Sequence, residues 1–196
     1  MKKVVVGTFL SLDGVMQAPG DSQEDTEGGF TKGGWQLPLF DEESGRIMDG
    51  LIAATDALLL GRKTYEIFAA YWPHAPADDT IGRKFNSIPK YVASTTLKKL
   101  DWNNSSLIKG DLARAVARMK QEPGSGFISV TGSGKLAQSL MAQNLVDEYK
   151  LWVYPIVLGS GKRLFAEGVP PANLKLVDST VLQSGAVILT YLPEGK

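Results

Sequence analysis

Glycine, serine and lysine cluster after a short apolar run near the middle of the chain. The run Phe127–Thr131 predicts a strand, and Gly132-Ser-Gly-Lys135 predicts a sharp turn before an amphipathic helix that continues to Ala142. Gly132 and Gly134 carry no Cβ, so a ligand can approach the backbone closely. The unpaired N–H groups and positive dipole end of the helix suit an anion such as a phosphate. The alternative interpretation is an ordinary strand-to-helix turn.

Two cations follow a second predicted strand in the same way. Residues 56–60 predict a buried strand, and Gly61-Arg-Lys-Thr64 begins a helix predicted over 61–68. Cations at a helix N-terminus oppose the helix dipole, which costs roughly 0.3–1 kcal/mol each. A bound phosphate would offset that cost. Alternatively, both side chains extend into water.

A third predicted strand, over residues 89–94, ends in Ser94 and Thr95. Ligands of open α/β sheets bind at the carboxyl ends of the strands, so three such turns suit an elongated, phosphate-bearing ligand. A Rossmann fingerprint is disfavoured, because Trp152 and Val153 stand where its acidic residue is expected. A P-loop is disfavoured because Leu136 follows Lys135 where Ser or Thr would hold magnesium.

Two aspartates flank a long polar segment over residues 17–34, a length that is usually functional or disordered. Asp13 lies in a turn after the first predicted strand, and Asp41 lies at the start of a predicted helix. A carboxylate in an apolar pocket can relay a proton. The alternatives are a turn residue for Asp13 and an N-terminal helix charge for Asp41. Trp35 either covers a ring-shaped ligand or belongs to the core.

The composition excludes several classes of site. The 196 residues contain no cysteine and one histidine, His74, so thiolate chemistry and multi-histidine metal sites are excluded. Lys+Arg and Asp+Glu number 21 each, which does not favour nucleic acid or an anionic membrane as partner. The apolar run at the N-terminus is too short for a signal peptide or a membrane span. We therefore expect a cytoplasmic protein.

The remaining patterns predict one α/β domain over residues 1–196. Strands are predicted over 3–10, 105–108 and 145–154, and helices over 40–54 and from about Asp111, a candidate N-cap. Residues 174–182 and 186–192 predict an antiparallel hairpin. The expected architecture is a mostly parallel sheet with helices on both faces and an antiparallel C-terminal edge.

Four motifs together resemble the reductase domain of riboflavin biosynthesis, which has the dihydrofolate reductase fold. They are Ser11-Leu-Asp-Gly14, Leu59-Leu-Gly-Arg-Lys-Thr-Tyr65, Val130-Thr-Gly-Ser-Gly-Lys135 and Val146-Asp-Glu-Tyr-x-Leu-x-Val-x-Pro-Ile-Val-Leu-Gly-Ser-Gly-Lys-Arg-Leu-Phe165. The resemblance covers nearly the whole chain. It implies a three-layer dihydrofolate reductase-like fold, a mixed central sheet, NADPH as cofactor and a homodimer.

The resemblance also implies roles for individual residues. The turn for the cofactor phosphates would contain Gly61, Arg62, Lys63 and Thr64, and the adenosine-side turn would contain Ser94 and Thr95. The pyrophosphate turn would contain Thr131, Gly132, Ser133, Gly134, Lys135 and Leu136. The residues beside nicotinamide and substrate would be Leu12, Asp13, Gly14, Leu158 and Gly159. Thr95 replaces an arginine that is frequent in dihydrofolate reductases, so NADH stays an alternative cofactor.

The resulting hypothesis is an NADPH-dependent reductase that transfers hydride to a small heteroaromatic or ribosylated metabolite. The proton would come from Asp13, Asp41 or water. Because the chain has no Cys-x-x-Cys to bind the zinc of a deaminase module, we expect a stand-alone member with a different substrate from the riboflavin intermediate. The alternative is a non-catalytic nucleotide-binding protein of the same fold.

Overall fold

The described residues, 1–195, of this computed structural model contain one eight-stranded sheet in the order β4-β3-β2-β5-β1-β6-β8-β7. The strands are β1 (Val4–Ser11), β2 (Thr55–Gly61), β3 (Lys90–Ala93), β4 (Ser105–Leu107), β5 (Phe127–Thr131), β6 (Glu148–Tyr154), β7 (Leu174–Val181) and β8 (Val187–Pro193). Across the sheet, each of the strands β4, β3, β2, β5, β1 and β6 pairs in parallel with the next in that order. Strand β8 pairs antiparallel with both β6 and β7. This confirms the predicted mostly parallel sheet and its C-terminal hairpin.

Five α-helices lie within residues 1–195. They are α1 (Glu42–Ala53), α2 (Arg62–Tyr71), α3 (Thr80–Ser87), α4 (Leu112–Gln121) and α5 (Gly134–Ala142). An aspartate caps α1, α3 and α4, since Asp41, Asp79 and Asp111 each accept a hydrogen bond from a backbone N–H of the first turn at 2.7–2.8 Å. The predicted cap at Asp111 is confirmed.

Strand β2 is covered on both faces, which explains its uninterrupted apolar sequence. Leu58, Leu59 and Leu60 are all fully buried. Leu59 packs into the cluster that contains α4 and α5 residues, whereas Leu58 and Leu60 pack on the opposite face with Tyr65 and Phe85. Successive side chains of a strand point to opposite faces, so a strand between two helical layers has no polar side.

Helix α3 has no counterpart among the predicted elements. Its sequence is mostly polar, and Ile81 and Phe85 alone supply apolar side chains at helical spacing. Phe85 is 2% exposed and stacks on Phe68 of α2 with ring centroids 5.9 Å apart. Tertiary packing of one aromatic ring and the Asp79 cap therefore stabilise a helix whose own periodicity is weak.

The first residues of β2 and β5 approach each other without room for a side chain. A Cβ on Gly126 would lie 2.1 Å from the carbonyl oxygen of Ala54 and 2.8 Å from Oδ1 of Asp56. The Gly126 N–H donates to Asp56 Oδ2 at 2.8 Å. The glycine therefore permits the pairing that aligns these two central strands.

We predict that Gly126→Ala lowers the free energy of unfolding by about 1–3 kcal/mol, because the added methyl forces the two strands apart. The matched control is Gly50→Ala in α1, where a Cβ would have no atom of the described residues within 4 Å apart from its chain neighbours and the adjacent helix backbone. That control should raise the free energy of unfolding by about 0.5–1 kcal/mol, through helix propensity. Urea unfolding of both variants measures the difference, and equal midpoints would contradict the packing described here.

Candidate functional site

The predicted binding turns meet at one edge of the sheet. Gly61 pairs in register with Ala93, so the turns after β2 and β3 begin side by side. Thr131 pairs with Gly7 of β1, and Ser11 at the end of β1 pairs with Tyr154 at the end of β6. The carboxyl ends of these parallel strands therefore define a common edge, as expected for the binding edge of an open α/β sheet.

Two of these turns are joined by reciprocal hydrogen bonds. The hydroxyl of Ser133 accepts a bond from the Gly61 N–H at 3.0 Å, and the Thr64 hydroxyl accepts one from the Ser133 N–H, also at 3.0 Å. Ser133 has φ of 50° and Gly132 has φ of 60°, both in the left-handed region. The N-termini of α2 and α5 are therefore held in a fixed relation to each other.

The N-termini of α2 and α5 differ from those of the other three helices. Within residues 1–195 no side chain caps either of them, whereas an aspartate caps α1, α3 and α4. The Ser133 hydroxyl, which precedes α5, is directed to Gly61 instead. The first N–H groups of an uncapped helix can bind an anion, and the helix dipole favours it. The donor set at this edge fits the phosphates of a nucleotide cofactor.

Cationic side chains lie beside these N-termini. Arg62 forms an ion pair of 2.8 Å with Glu66 one turn further along α2. Lys63 forms an ion pair with Glu27 of the long loop. Lys135 is exposed at the start of α5, whereas the side chain of Leu136 is buried in the core. Leu136, the last residue of the predicted pyrophosphate turn, therefore faces this edge of the sheet with its backbone and not with its side chain.

The turn after β3 is closed by its own serine. The Ser94 hydroxyl accepts hydrogen bonds from the N–H groups of Thr96 at 3.2 Å and Leu97 at 3.0 Å. The side chain of Thr95 is exposed. The Thr95 side chain therefore extends into solvent at the end of β3, which pairs with the end of β2.

Asp13 joins the end of β1 to the loop that follows β6. Its carboxylate accepts hydrogen bonds from the N–H groups of Leu158 at 3.0 Å and Gly159 at 2.8 Å, and from the Ser11 hydroxyl at 2.7 Å. These bonds, led by that from Leu158, hold the pKa of Asp13 well below its usual range. The carboxylate is therefore ionised at neutral pH and acts as a hydrogen-bond acceptor.

The other predicted substrate residues lie around this junction in different environments. Leu12 is 67% exposed while its N–H donates to the carbonyl of Ile156 at 2.8 Å. Gly14 has φ of 80°, which favours glycine in this turn. Leu158 is buried among aromatic and aliphatic side chains. Leu12 is consequently the apolar side chain of the turn that is free to contact a ligand.

Trp35 and Asp41 are both engaged in contacts within the protein. The indole of Trp35 is 6% exposed, donates to the carbonyl of Gln17 at 2.8 Å, and meets the ring of Tyr154 edge-on. The Asp41 carboxylate caps α1 through Ser44 and also accepts the Ser184 N–H at 3.1 Å. Hydrogen bonds from Ser44 lower the pKa of Asp41. The predicted role of Trp35 in substrate binding and that of Asp41 in proton transfer stay predictions.

The sequence patterns did not single out Gln17, which organises the long loop. Its amide is buried and donates to the carbonyls of Asp25 at 3.0 Å and Glu27 at 2.9 Å. Its Oε1 accepts the Lys162 N–H at 3.0 Å. The sequence feature that could have identified Gln17 is its position as a single amide side chain among the apolar residues Val15, Met16 and Ala18. The loop over residues 17–34 is thus ordered and connected to the loop after β6.

Neither a metal-binding cluster nor a membrane-spanning helix occurs in the described part of the chain. Residues 1–195 contain no group of three or more His, Asp or Glu side chains that could hold a metal ion. Over the same range, no helix is both long and apolar enough to cross a membrane.

Comparisons with known proteins bear on the family and the fold. The chain is 33% identical over 139 residues to the uncharacterised protein YyaP of Bacillus subtilis (strain 168), covering 69% of this chain and 73% of YyaP. A Shewanella sp. PV-4 protein provisionally assigned to riboflavin biosynthesis superposes with a TM-score of 0.73 at 21% identity, covering 98% of this chain and 99% of that one.

Dihydrofolate reductase from Enterococcus faecalis, solved with NADP(H), superposes with a TM-score of 0.62 at 13% identity, covering 98% of this chain and 96% of the enzyme. The two structural likenesses show the fold, which is dihydrofolate reductase-like as expected from the sequence motifs. The family described as the RibD C-terminal domain matches residues 2–188, nearly the whole chain. The protein therefore belongs to the RibD C-terminal domain family.

Proposed function

We propose that this protein is a cytoplasmic, NADPH-dependent reductase. The observation that carries the proposal is the pair of uncapped helix N-termini, α2 and α5, held together by Ser133 and Thr64 beside Arg62 and Lys63. Two anion-binding helix ends at a fixed distance suit a ligand with more than one phosphate. Membership of a reductase family supports a nicotinamide cofactor over other nucleotides.

The residues of the predicted turns receive complementary roles in this proposal. The first-turn N–H groups of α5, at Gly134, Lys135 and Leu136, and the Lys63 ammonium bind the pyrophosphate. Arg62 and Thr95, which follow the paired residues Gly61 and Ala93, lie on the adenosine side. The Arg62 guanidinium is suited to bidentate contact with a further phosphate, which favours NADPH over NADH.

The reaction proposed is reduction of a carbonyl or imine in a small heteroaromatic or ribosylated metabolite. NADPH supplies a hydride to carbon, and a proton completes the product at oxygen or nitrogen. Asp13 and Asp41 are both ionised at neutral pH, since hydrogen bonds lower the pKa of each. We therefore assign the proton to water. Leu12 and Gly14 border the substrate, and the 158–159 backbone fixes the turn that holds them.

We predict that Arg62→Ala abolishes or strongly reduces the rise in melting temperature that NADPH produces, because a phosphate contact is lost. The matched control is Arg46→Ala, which removes another arginine that pairs with a glutamate four residues away, in α1. Thermal-shift titrations with NADPH and NADH measure the effect. The control should respond as the wild type does.

Either of two results would decide against the reductase proposal. If folded wild-type protein shows no shift with NADPH or NADH, the glycine turns serve architecture alone. If NADPH binds but is not oxidised with any of a panel of pterins, aminopyrimidines and carbonyl compounds, the non-catalytic nucleotide-binding alternative is favoured.

We further propose that Asp13 positions the substrate turn rather than donating a proton. Its pKa in the folded protein is below the unfolded value, so the ionised form stabilises the fold at neutral pH. That stabilisation is lost as the pH falls below about 4, toward the folded-state pKa. The Leu158 and Gly159 N–H groups bond different carboxylate oxygens, and in asparagine one of these oxygens is replaced by an NH2 donor, so one N–H loses its acceptor.

We predict that Asp13→Asn melts below the wild type at pH 7, and that the difference shrinks as the pH is lowered below about 4. Melting curves across this range test it. The KM for the substrate should rise more than kcat falls, because the substituted residue orders a turn. A larger difference in melting temperature at acid pH than at pH 7 would contradict the assignment.

We propose that the homodimer implied by the family resemblance forms through the edge strand β7. Leu176, Val177 and Val181 are 46–72% exposed on this strand, which is an unusual density of exposed apolar side chains. Lys175 and Asp178, both exposed, give the patch opposite charges. A patch with both charges is complementary to itself across a two-fold axis, so a second copy of the chain is the proposed partner.

We predict that Val181→Lys converts the dimer to a monomer, because it places a charge in the buried apolar surface. Light scattering after gel filtration should give twice the chain mass of 21.2 kDa for the wild type and once that mass for the variant. The matched control is Tyr71→Lys, at an exposed aromatic residue of α2, which should leave the dimer intact. A monomeric wild type would overturn the proposal.

A further inference from the structure

A carboxylate of the protein itself lies at the predicted phosphate site. Glu27, in the long loop, forms an ion pair with Lys63 in the first turn of α2. The same Glu27 oxygen lies 2.5 Å from the Lys162 ammonium. Hydrogen bonds from Lys162, followed by those from Lys63, lower the pKa of Glu27 to about 2. The group is therefore a full negative charge beside the uncapped N-terminus of α2.

The carboxylate is held in place by the loop around it. The Gln17 amide binds the backbone carbonyl of Glu27, and Lys162 also pairs with Asp25 on the same loop. Glu27 is thus fixed by bonds to its backbone and its side chain. Its position at Lys63 results from the folded loop and not from a freely rotating side chain.

The residues that follow Glu27 allow the carboxylate to move. Gly28 and Gly29 have φ of 71° and 74°, a left-handed conformation that glycine adopts and leaves at low cost. Lys162 offers Glu27 a second cation, so departure from Lys63 does not leave the carboxylate without a partner. A rearrangement confined to a few residues can therefore free Lys63.

An incoming phosphate and Glu27 compete for the same lysine. Two anions at one ammonium repel each other, and separating them requires displacement of the carboxylate or a weaker phosphate contact. We propose that Glu27 is an internal competitor for the phosphate group at Lys63, and that its displacement couples cofactor binding to the conformation of residues 25–29. The identity of the phosphate ligand rests on the proposed function. The competition between Glu27 and a phosphate at Lys63 does not.

The experiment measures the dissociation constant of inorganic pyrophosphate and of NADPH for the wild type and Glu27→Gln. Removal of the competing charge should tighten both by about two- to fivefold, since the contribution of one exposed ion pair is of that size. The matched control is Glu42→Gln, which removes an exposed carboxylate paired with Arg46 in α1. It should bind both probes as the wild type does.

A double-mutant cycle separates competition from a general change in net charge. In a Lys63→Met background, Glu27→Gln should no longer tighten pyrophosphate binding, because the shared cation is absent. In the ligand-free protein, Glu27→Gln and Lys63→Met should each speed amide hydrogen exchange over residues 25–29. That readout requires no nucleotide and does not depend on catalytic activity.

The outcomes for the two proposals are distinguishable. Tighter pyrophosphate binding by Glu27→Gln without binding of NADPH or NADH would support the competition while overturning the reductase proposal. Unchanged pyrophosphate affinity in Glu27→Gln, or equal tightening in the Lys63→Met background, would overturn the competition even if NADPH binds to every variant.

Discussion

The reciprocal bonds between Ser133, Gly61 and Thr64 are the constraint on which the rest of the edge depends. Each turn by itself is a common connection between a strand and a helix. Joined through one hydroxyl and one N–H on each side, they hold two helix N-termini in a fixed arrangement. Ser133 can serve this purpose because its left-handed backbone directs the hydroxyl away from α5. The Ser133 side chain therefore both positions α2 against α5 and leaves α5 without a cap.

The sheet was predictable because buried parallel strands have a strong sequence pattern. Runs such as Leu58 to Leu60 are apolar on both faces, and glycine or serine follows them. Helix α3 was not predicted, because Phe85 stabilises it through rings distant in sequence. The start of β6 was set too early for a similar reason: the Leu145 N–H bonds back to Leu140 at the end of α5.

The sequence predicted where the backbone of the candidate site lies, but it predicted the interactions of the side chains less well. Glycine turns after strands indicate where an anion can approach, whereas the state of a carboxylate depends on its partners. Asp13 accepts N–H groups about 145 residues away in the chain, and no local pattern reveals those bonds. Gln17 contacts Lys162 over a similar separation. Both residues are understood only once β1 and β6 are known to be neighbours.

The two uncapped helices also have a consequence for how the fold can evolve. An N-cap contributes about 1 kcal/mol, and this chain has aspartate caps on three other helices. A substitution that introduced an acid at Gly61 would stabilise the ligand-free protein by capping α2, while filling the space an anion needs. The edge is thus locally frustrated, in the sense that its sequence is not the most stable one for its backbone. Selection for thermal stability alone would be expected to remove this frustration first.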